Sequence, residues 1–191
     1  MSEEAVTHLR SDPDLAPLVE EHGPLELEPA DDPFRRLVVS LTRQQVSMAA
    51  AAAIEKRLFD AVEVTPGGLL AAEESTLRDA GLSRQKTEYV RAVARAWRER
   101  EYDRGFFEGM DDEAVTAELT DIHGVGTWTA KMFVLFALGR PDIFPVEDLG
   151  IRRGMESLYG DGMDRQEMVA AAERWRPYRS TASLYLWRAV D

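Results

Sequence analysis

Leu119-Thr120-Asp121-Ile122-His123-Gly124-Val125-Gly126-Thr127-Trp128-Thr129-Ala130 decides how the rest of the chain is read. Helical periodicity leads into this stretch and resumes after it, which predicts a helix-hairpin-helix over 112–138. Two glycines flanking one apolar residue let the backbone turn tightly, with N–H groups exposed where the second helix begins. A helix start of that kind carries unmet donors and the positive end of the helix dipole, so it binds a phosphate. Asp148 follows 22 residues after Gly126, within Phe144-Pro145-Val146-Glu147-Asp148-Leu149-Gly150-Ile151.

Working outward, nothing reads as a sheet. Asp31-Asp32-Pro33 supplies a cap and a first-turn proline. Phe34, Leu37, Val38 and Leu41 then recur at i, i+3, i+4 and i+7, marking an apolar helix face. Ser47 is expected to cap a helix from Met48 to about Val62, with Ala51, Ile54, Leu58 and Phe59 inward. Thr65-Pro66-Gly67-Gly68 starts a short helix. Ser75 is expected to cap another that Gly81 ends, and Ser83 a longer one through Tyr89, Val93 and Trp97. A loop with Gly105 and Gly109 precedes Asp111-Asp112, which cap the first hairpin helix. The second, Thr127 to about Leu138, is apolar nearly all round, as a buried central helix should be, with Gly139 as its stop. Further helices are expected from Asp148, from Arg165 to Trp175, and from Ser180 onward. The result is an all-α chain of about ten short helices.

The composition narrows the function. At 191 residues the chain can bury a real core. No apolar run reaches the length of a membrane span; Met132 to Leu138 falls far short. The acidic Met-Ser-Glu-Glu start lacks the features of a signal peptide, so no membrane partner and a cytoplasmic location are expected. Cysteine is absent, which excludes disulfides, a thiol nucleophile and an iron–sulfur cluster on cysteine ligands. His8, His22 and His123 are too scattered for a zinc site. The net charge of −12 argues, taken alone, against a nucleic-acid partner. Lysine occurs only at Lys56, Lys86 and Lys131, so the cations are mostly arginines. Scarce lysine with abundant carboxylates fits either a salty cytoplasm or a coding bias toward Arg, Ala, Gly and Asp. Net charge describes solubility better than it describes a local patch.

The hairpin together with Phe144-Pro145-Val146-Glu147-Asp148-Leu149 resembles the helix-hairpin-helix DNA glycosylase superfamily. Within it, the stretch is similar to the alkylation-repair branch, 3-methyladenine DNA glycosylase II. Ser40-Leu41-Thr42-Arg43-Gln44-Gln45-Val46-Ser47 resembles the family's first junction into DNA. Gly81-Leu82-Ser83-Arg84-Gln85-Lys86 and Glu173-Arg174-Trp175-Arg176-Pro177-Tyr178-Arg179-Ser180 resemble later landmarks. The resemblance covers about Pro33 to Val190. It implies a two-lobed helical fold in a compact form without the N-terminal β domain of larger members. One lobe would take about 33–140, including the hairpin 112–138, and the other about 1–32 plus 141–191. The implied activity is monofunctional base excision: the N-glycosidic bond of a flipped, alkylated base is hydrolysed and an abasic site remains. The implied partner is double-stranded damaged DNA, bound by a monomer.

Asp148 is the expected catalytic residue. A carboxylate beside the sugar stabilises an oxocarbenium-like transition state and can orient or deprotonate the attacking water. The plainer reading is a helix cap before Leu149, and both roles can hold at once. Glu147 is the neighbouring competitor. At the position of Trp128, bifunctional relatives carry a lysine that attacks the sugar; tryptophan cannot form that Schiff base. Lys131 lies three places along the helix and faces elsewhere. Trp128 instead suits stacking on a cationic alkylated purine, a contact of about 0.5–2 kcal/mol, with core packing as the plainer reading. The resemblance adds Trp187 and Met132 to the base pocket and Gln45 as the wedge that fills the emptied stack. It puts phosphate on Gly124, Val125, Gly126, Thr127 and Thr129. A monovalent cation, Na or K, would rest on the backbone carbonyls of Thr120, Ile122 and Val125; no other cofactor is implied. His123 is expected to face DNA or solvent. Arg43, Arg84, Lys86, Lys131, Arg152, Arg153 and Arg179 could form a local basic rim, or be scattered solvated cations. A non-catalytic helix-hairpin-helix DNA-binding protein, and a glycosylase for oxidised or deaminated bases, stay open as alternatives.

Overall fold

The computed structural model describes residues 2–190, and among them it is helical throughout, with thirteen α-helices, one 3-10 turn and no strand. The chain divides into two compact units. One is Ala30–Leu138; the other takes in the residues up to Pro29 and the chain from Gly139 onward.

The Ala30–Leu138 unit holds α3 (Pro33–Arg43), α4 (Met48–Ala61), α5 (Pro66–Ala71), α6 (Glu74–Asp79), α7 (Arg84–Glu99), α8 (Arg104–Glu108), α9 (Asp112–Thr120) and α10 (Thr127–Phe136). Its helix starts are set by local chemistry. The side chains of Asp32, Ser47, Thr65, Ser83 and Asp111 each accept from the backbone N–H three residues on. In the core, α10 packs against both α3 and α9. Phe34, Leu37, Val38 and Leu41 are all buried, as their spacing requires. The Trp97 ring meets Phe34 edge-on at 5.4 Å and Phe133 at 6.0 Å. Burial of one such side chain stabilises the unit by about 1.5–3 kcal/mol. Arg36 lies 4.6 Å from the Phe136 ring centroid, and burial pulls its pKa down to about 10.

The second unit holds α1 (Ser2–Arg10), α2 (Ala16–His22), α11 (Leu149–Tyr159), α12 (Arg165–Ala172), the 3-10 turn Glu173–Trp175 and α13 (Arg179–Arg188). Its core gathers Leu9, Leu15, Val19, Ile151, Met155, Trp175 and Tyr185. The Tyr185 hydroxyl donates to Gly23 O at 2.9 Å and accepts from Leu25 N, which ties the segment after α2 to α13.

Several expectations need correction. Three helices, α1, α2 and α8, exceed the ten expected. Residues Ala16–His22 form α2 without a side-chain cap, with a proline in its first turn, Gly23 at its end and Val19 buried. The Gly105–Gly109 loop is helix α8, capped by Asp103 and anchored by buried Phe107. Ser75 lies inside α6, which begins at Glu74, two residues earlier than expected, with Glu73 at the N-cap and no side-chain cap. Phe59 is only half-buried, with the Arg35 guanidinium 4.1 Å from its ring centroid. The Arg165–Trp175 helix tightens into the 3-10 turn after Ala172.

Candidate active site

The hairpin turn is built from opposite uses of its two glycines. Gly124 has φ +93°, a left-handed backbone that favours glycine, and a Cβ there would lie 2.1 Å from Cγ of Tyr89. Gly126 has ordinary extended φ, with nothing within 4 Å of a Cβ. It is the N-cap of α10 and supplies no side-chain cap, and no acidic residue occupies the first turn. The first N–H groups of an α-helix have no intrahelical acceptor, so this start suits an external anion.

The other hairpin residues divide between core and surface. Ile122 and Val125 are buried, whereas Thr120, Gly126 and Thr127 are exposed. One phosphate assignment, Val125, changes here. The Val125 N–H donates to Ile122 O at 3.0 Å, so it is spent on the turn itself. Thr129 is 1% exposed, and its hydroxyl accepts from Gln44 Nε2 at 2.8 Å, so its side chain lies inside the hairpin. Trp128 is half-buried in the first turn of α10, while Met132 is buried one turn on. His123 is exposed and meets Tyr89 edge-on at 5.1 Å.

In the same unit, the α3–α4 turn carries Gln45. Its φ is +55° and its side chain is exposed. A left-handed non-glycine residue costs about 1–2 kcal/mol and persists only where its surroundings hold it. Here Arg43 is bidentate to Glu55 at 2.8 and 3.3 Å, and Glu55 also accepts from the Thr42 hydroxyl. Lys86 Nζ donates to Thr42 O at 2.6 Å, and burial pulls the Lys86 pKa below the usual lysine value. Val46 and Met48 follow as exposed apolar side chains.

In the other unit, Asp148 is the N-cap of α11. Its Oδ1 accepts from Ile151 N at 3.1 Å and from the Trp187 indole Nε1–H at 2.9 Å. Gly150 makes this possible: a Cβ there would lie 2.7 Å from Cδ1 of Trp187 and 3.1 Å from Asp148 Oδ1. Trp187, expected as a pocket wall, therefore grips the carboxylate. The approach to Asp148 is fixed from beneath. Ser180 Oγ donates to Arg140 O at 2.6 Å and accepts from Ile143 N. Arg179 pairs with Asp142 at 2.7 Å and with Glu173 at 2.9 Å. Arg152 donates to the carbonyls of Val146 and Glu147. The N-cap of α11 is Asp148 and not its neighbour Glu147, the rival carboxylate. Leu149, directly after Asp148, is a large apolar residue left 52% exposed. Sequence reading passed over it, because one leucine at a helix start carries no signal.

The basic rim shrinks accordingly. Arg179, 11% exposed at its side chain, is a loop anchor. Arg43 and Lys86 hold the α3–α4 turn, Arg152 holds the Asp148 loop, and exposed Arg84 pairs with Glu88 at 3.4 Å. Arg153 is exposed and Lys131 half-buried. Among the described residues no cluster of three His, Cys, Asp or Glu side chains could hold a metal ion.

An all-helical chain with an uncapped hairpin helix and a downstream helix-capping carboxylate defines a base-excision DNA repair fold. The chain belongs to the HhH-GPD superfamily of base excision DNA repair proteins, which it matches over residues 38–179. It is similar to the crystal structure of a DNA-3-methyladenine glycosidase from Bacillus halodurans, with 36% identity, a TM-score of 0.80, and 97% of this chain and 88% of that chain covered. It is also similar to the Schizosaccharomyces pombe 3-methyladenine DNA glycosylase solved in complex with abasic DNA, with 27% identity, a TM-score of 0.88, and 97% and 95% covered. The Bacillus subtilis protein YfjP is 28% identical over 188 residues, with 93% of this chain matched to 66% of YfjP.

Proposed function

We propose that the chain is a monofunctional DNA glycosylase. It would flip an alkylated base of the 3-methyladenine type from damaged duplex DNA and hydrolyse its N-glycosidic bond, leaving an abasic site. The observation that carries this reading is Asp148, held at a helix start by two donors on one oxygen. Related proteins named as 3-methyladenine glycosylases support it.

An alkylated purine of this type is a cation, so cleavage of the C1′–N bond sends the electron pair to the base, which leaves neutral. The positive charge then falls on the sugar. Asp148 stabilises it and orients the water that attacks C1′, accepting the proton that the water releases. Ile151 N–H and Trp187 Nε1–H both engage Oδ1 and fix the orientation of the carboxylate. Trp128, half-buried at the start of α10, offers an indole face to the cationic base. Its presence where a lysine would attack the sugar makes a Schiff-base lyase step unavailable at that position.

The proposed DNA grip is the start of α10, with Gly126 and Thr127 at the phosphate. The same reading includes a monovalent cation on the carbonyls of Thr120, Ile122 and Val125, a neutral oxygen set suited to a hard ion. When bound, that ion would add positive charge beside the phosphate. Gln45 is the proposed wedge, and the protein would work as a monomer in the cytoplasm.

The reading is tested by incubating the chain with methylated duplex DNA and measuring free methylated base and abasic sites. Wild type should release base, Asp148→Asn should not, and borohydride should trap no protein–DNA adduct. Full activity in Asp148→Asn would refute the mechanism, and a trapped adduct would refute the monofunctional assignment.

A further inference from the structure

The Gln44 side chain joins the α3–α4 turn to the hairpin. Gln44 is the C-cap of α3, and its carboxamide Nε2 donates both of its N–H groups into the hairpin. One goes to Gly124 O at 3.1 Å and the other to Thr129 Oγ1 at 2.8 Å. Its two acceptors lie on either side of the helix start that leaves its donors uncapped. Both are themselves fixed: Gly124 is pressed against the Tyr89 ring, and Thr129 is buried in α10. The next residue is Gln45, exposed and left-handed. One peptide bond therefore separates a side chain locked to the hairpin from a side chain projected to solvent by a strained backbone.

We infer that Gln44 is a positioning residue that sets the register between the phosphate grip and the inserted side chain, so that holding the backbone and filling the emptied stack happen as one event. This rests on the glycosylase reading above. The physical argument is geometric. A wedge acts only if it meets the stack at a fixed offset from the gripped phosphate, and a left-handed glutamine on an unsupported turn would relax toward ordinary φ. The two donors of the carboxamide oppose that relaxation. A residue of the same length without donors would leave the core shape nearly unchanged and release the turn.

The test compares the full-length wild-type chain with Gln44→Met and Thr129→Val, the second removing one acceptor from the other side. The substrate is a duplex carrying the alkylated base that wild type releases fastest from a lesion panel. It is prepared with that base either paired normally or opposite an abasic site, where extrusion is already easy. We expect single-turnover excision from the paired duplex to fall about 10–100-fold in Gln44→Met, with duplex affinity within about threefold of wild type, because the grip itself is intact. Excision from the unpaired duplex should recover to within about threefold. Thr129→Val should shift the same ratio in the same direction by a smaller factor. Equal loss on both duplexes, or loss that tracks a fall in Tm, would make Gln44 a merely structural residue and overturn the inference. So would an unchanged paired-to-unpaired ratio. Absence of excision by wild type on every lesion would instead overturn the glycosylase reading.

Discussion

Helices α10 and α11 begin in opposite ways. At α11 the chain supplies its own anion: Asp148 caps the helix and accepts from Ile151 N. At α10 the cap is Gly126, which brings no side chain and leaves the first turn without an acid. Both helix starts have the same electrostatics, since a dipole and unmet N–H groups favour negative charge at each. They differ in where the negative charge comes from. The first takes a carboxylate from the chain itself, and the second, on the glycosylase reading, leaves the position for a DNA phosphate. An acidic chain, with net charge −12, can thus still present a local anion site, because it withholds a carboxylate at one cap.

The largest way to break this contrast is at Asp148. Asparagine is as good a cap as aspartate, so Asp148→Asn should keep the helix start and shift Tm little. It removes the charge, and excision should fall by about 10²–10⁴-fold. Release of methylated base measured alongside a thermal melt separates the two roles. Retained activity with an unchanged Tm would mean that the carboxylate is a cap and nothing more.

Next comes the turn that sets the α10 start. Gly124→Ala places a Cβ on the Tyr89 ring and forces a left-handed alanine, which should cost about 1–3 kcal/mol. In a chain of this size each kcal/mol lowers Tm by roughly 2–4 °C. Gly124→Ala combined with Tyr89→Ala should recover part of the loss, since the collision goes and the backbone strain remains.

A smaller effect is expected at the indole that grips the carboxylate. Trp187→Phe keeps an aromatic ring and removes Nε1–H. Excision should fall by about tenfold, within the worth of a hydrogen bond to a charged group, and duplex affinity should not change. If affinity falls instead, Trp187 meets DNA directly and the positioning role is wrong.

These residues also show what could be read in advance. Caps were legible at Asp32, Ser47, Thr65, Ser83, Asp111 and Asp148, because a cap is decided within three residues. Helix α2 was harder to see, because Leu15 precedes it without a capping side chain and only Pro17 and Gly23 mark its ends. Asp148 stood out through the hairpin before it. The engagement of Trp187 did not, since the indole lies 39 residues from the carboxylate it holds. Nor does Gln44 stand out, for its acceptors lie 80 and 85 residues away. Arg179 stays open between rim cation and solvated cation because composition shows charge and not partner; Asp142 and Glu173 take it. Local chemistry places the helices and the carboxylate, and contacts distant in sequence decide which side chains support them.

The smallest expected effect is the sharpest test of the contrast, because it converts one helix start into the other. Gly126 has extended φ and open space around a would-be Cβ, so Gly126→Asp fits without strain. The new carboxylate can cap α10 as Asp148 caps α11, and stability should rise by a few tenths of a kcal/mol. The same carboxylate occupies the anion position and repels an arriving phosphate, so duplex affinity should fall about two- to fivefold at low salt. The difference should narrow as salt screens the charge. Gly126→Asn supplies the cap without the charge and separates the two causes. If it weakens binding as much as aspartate does, filling the position is what matters. If it binds like wild type, the phosphate is excluded by charge alone. A Gly126→Asp protein that binds duplex as tightly as wild type would show that the α10 start is not where the backbone is held, and the two helix starts would no longer be a pair.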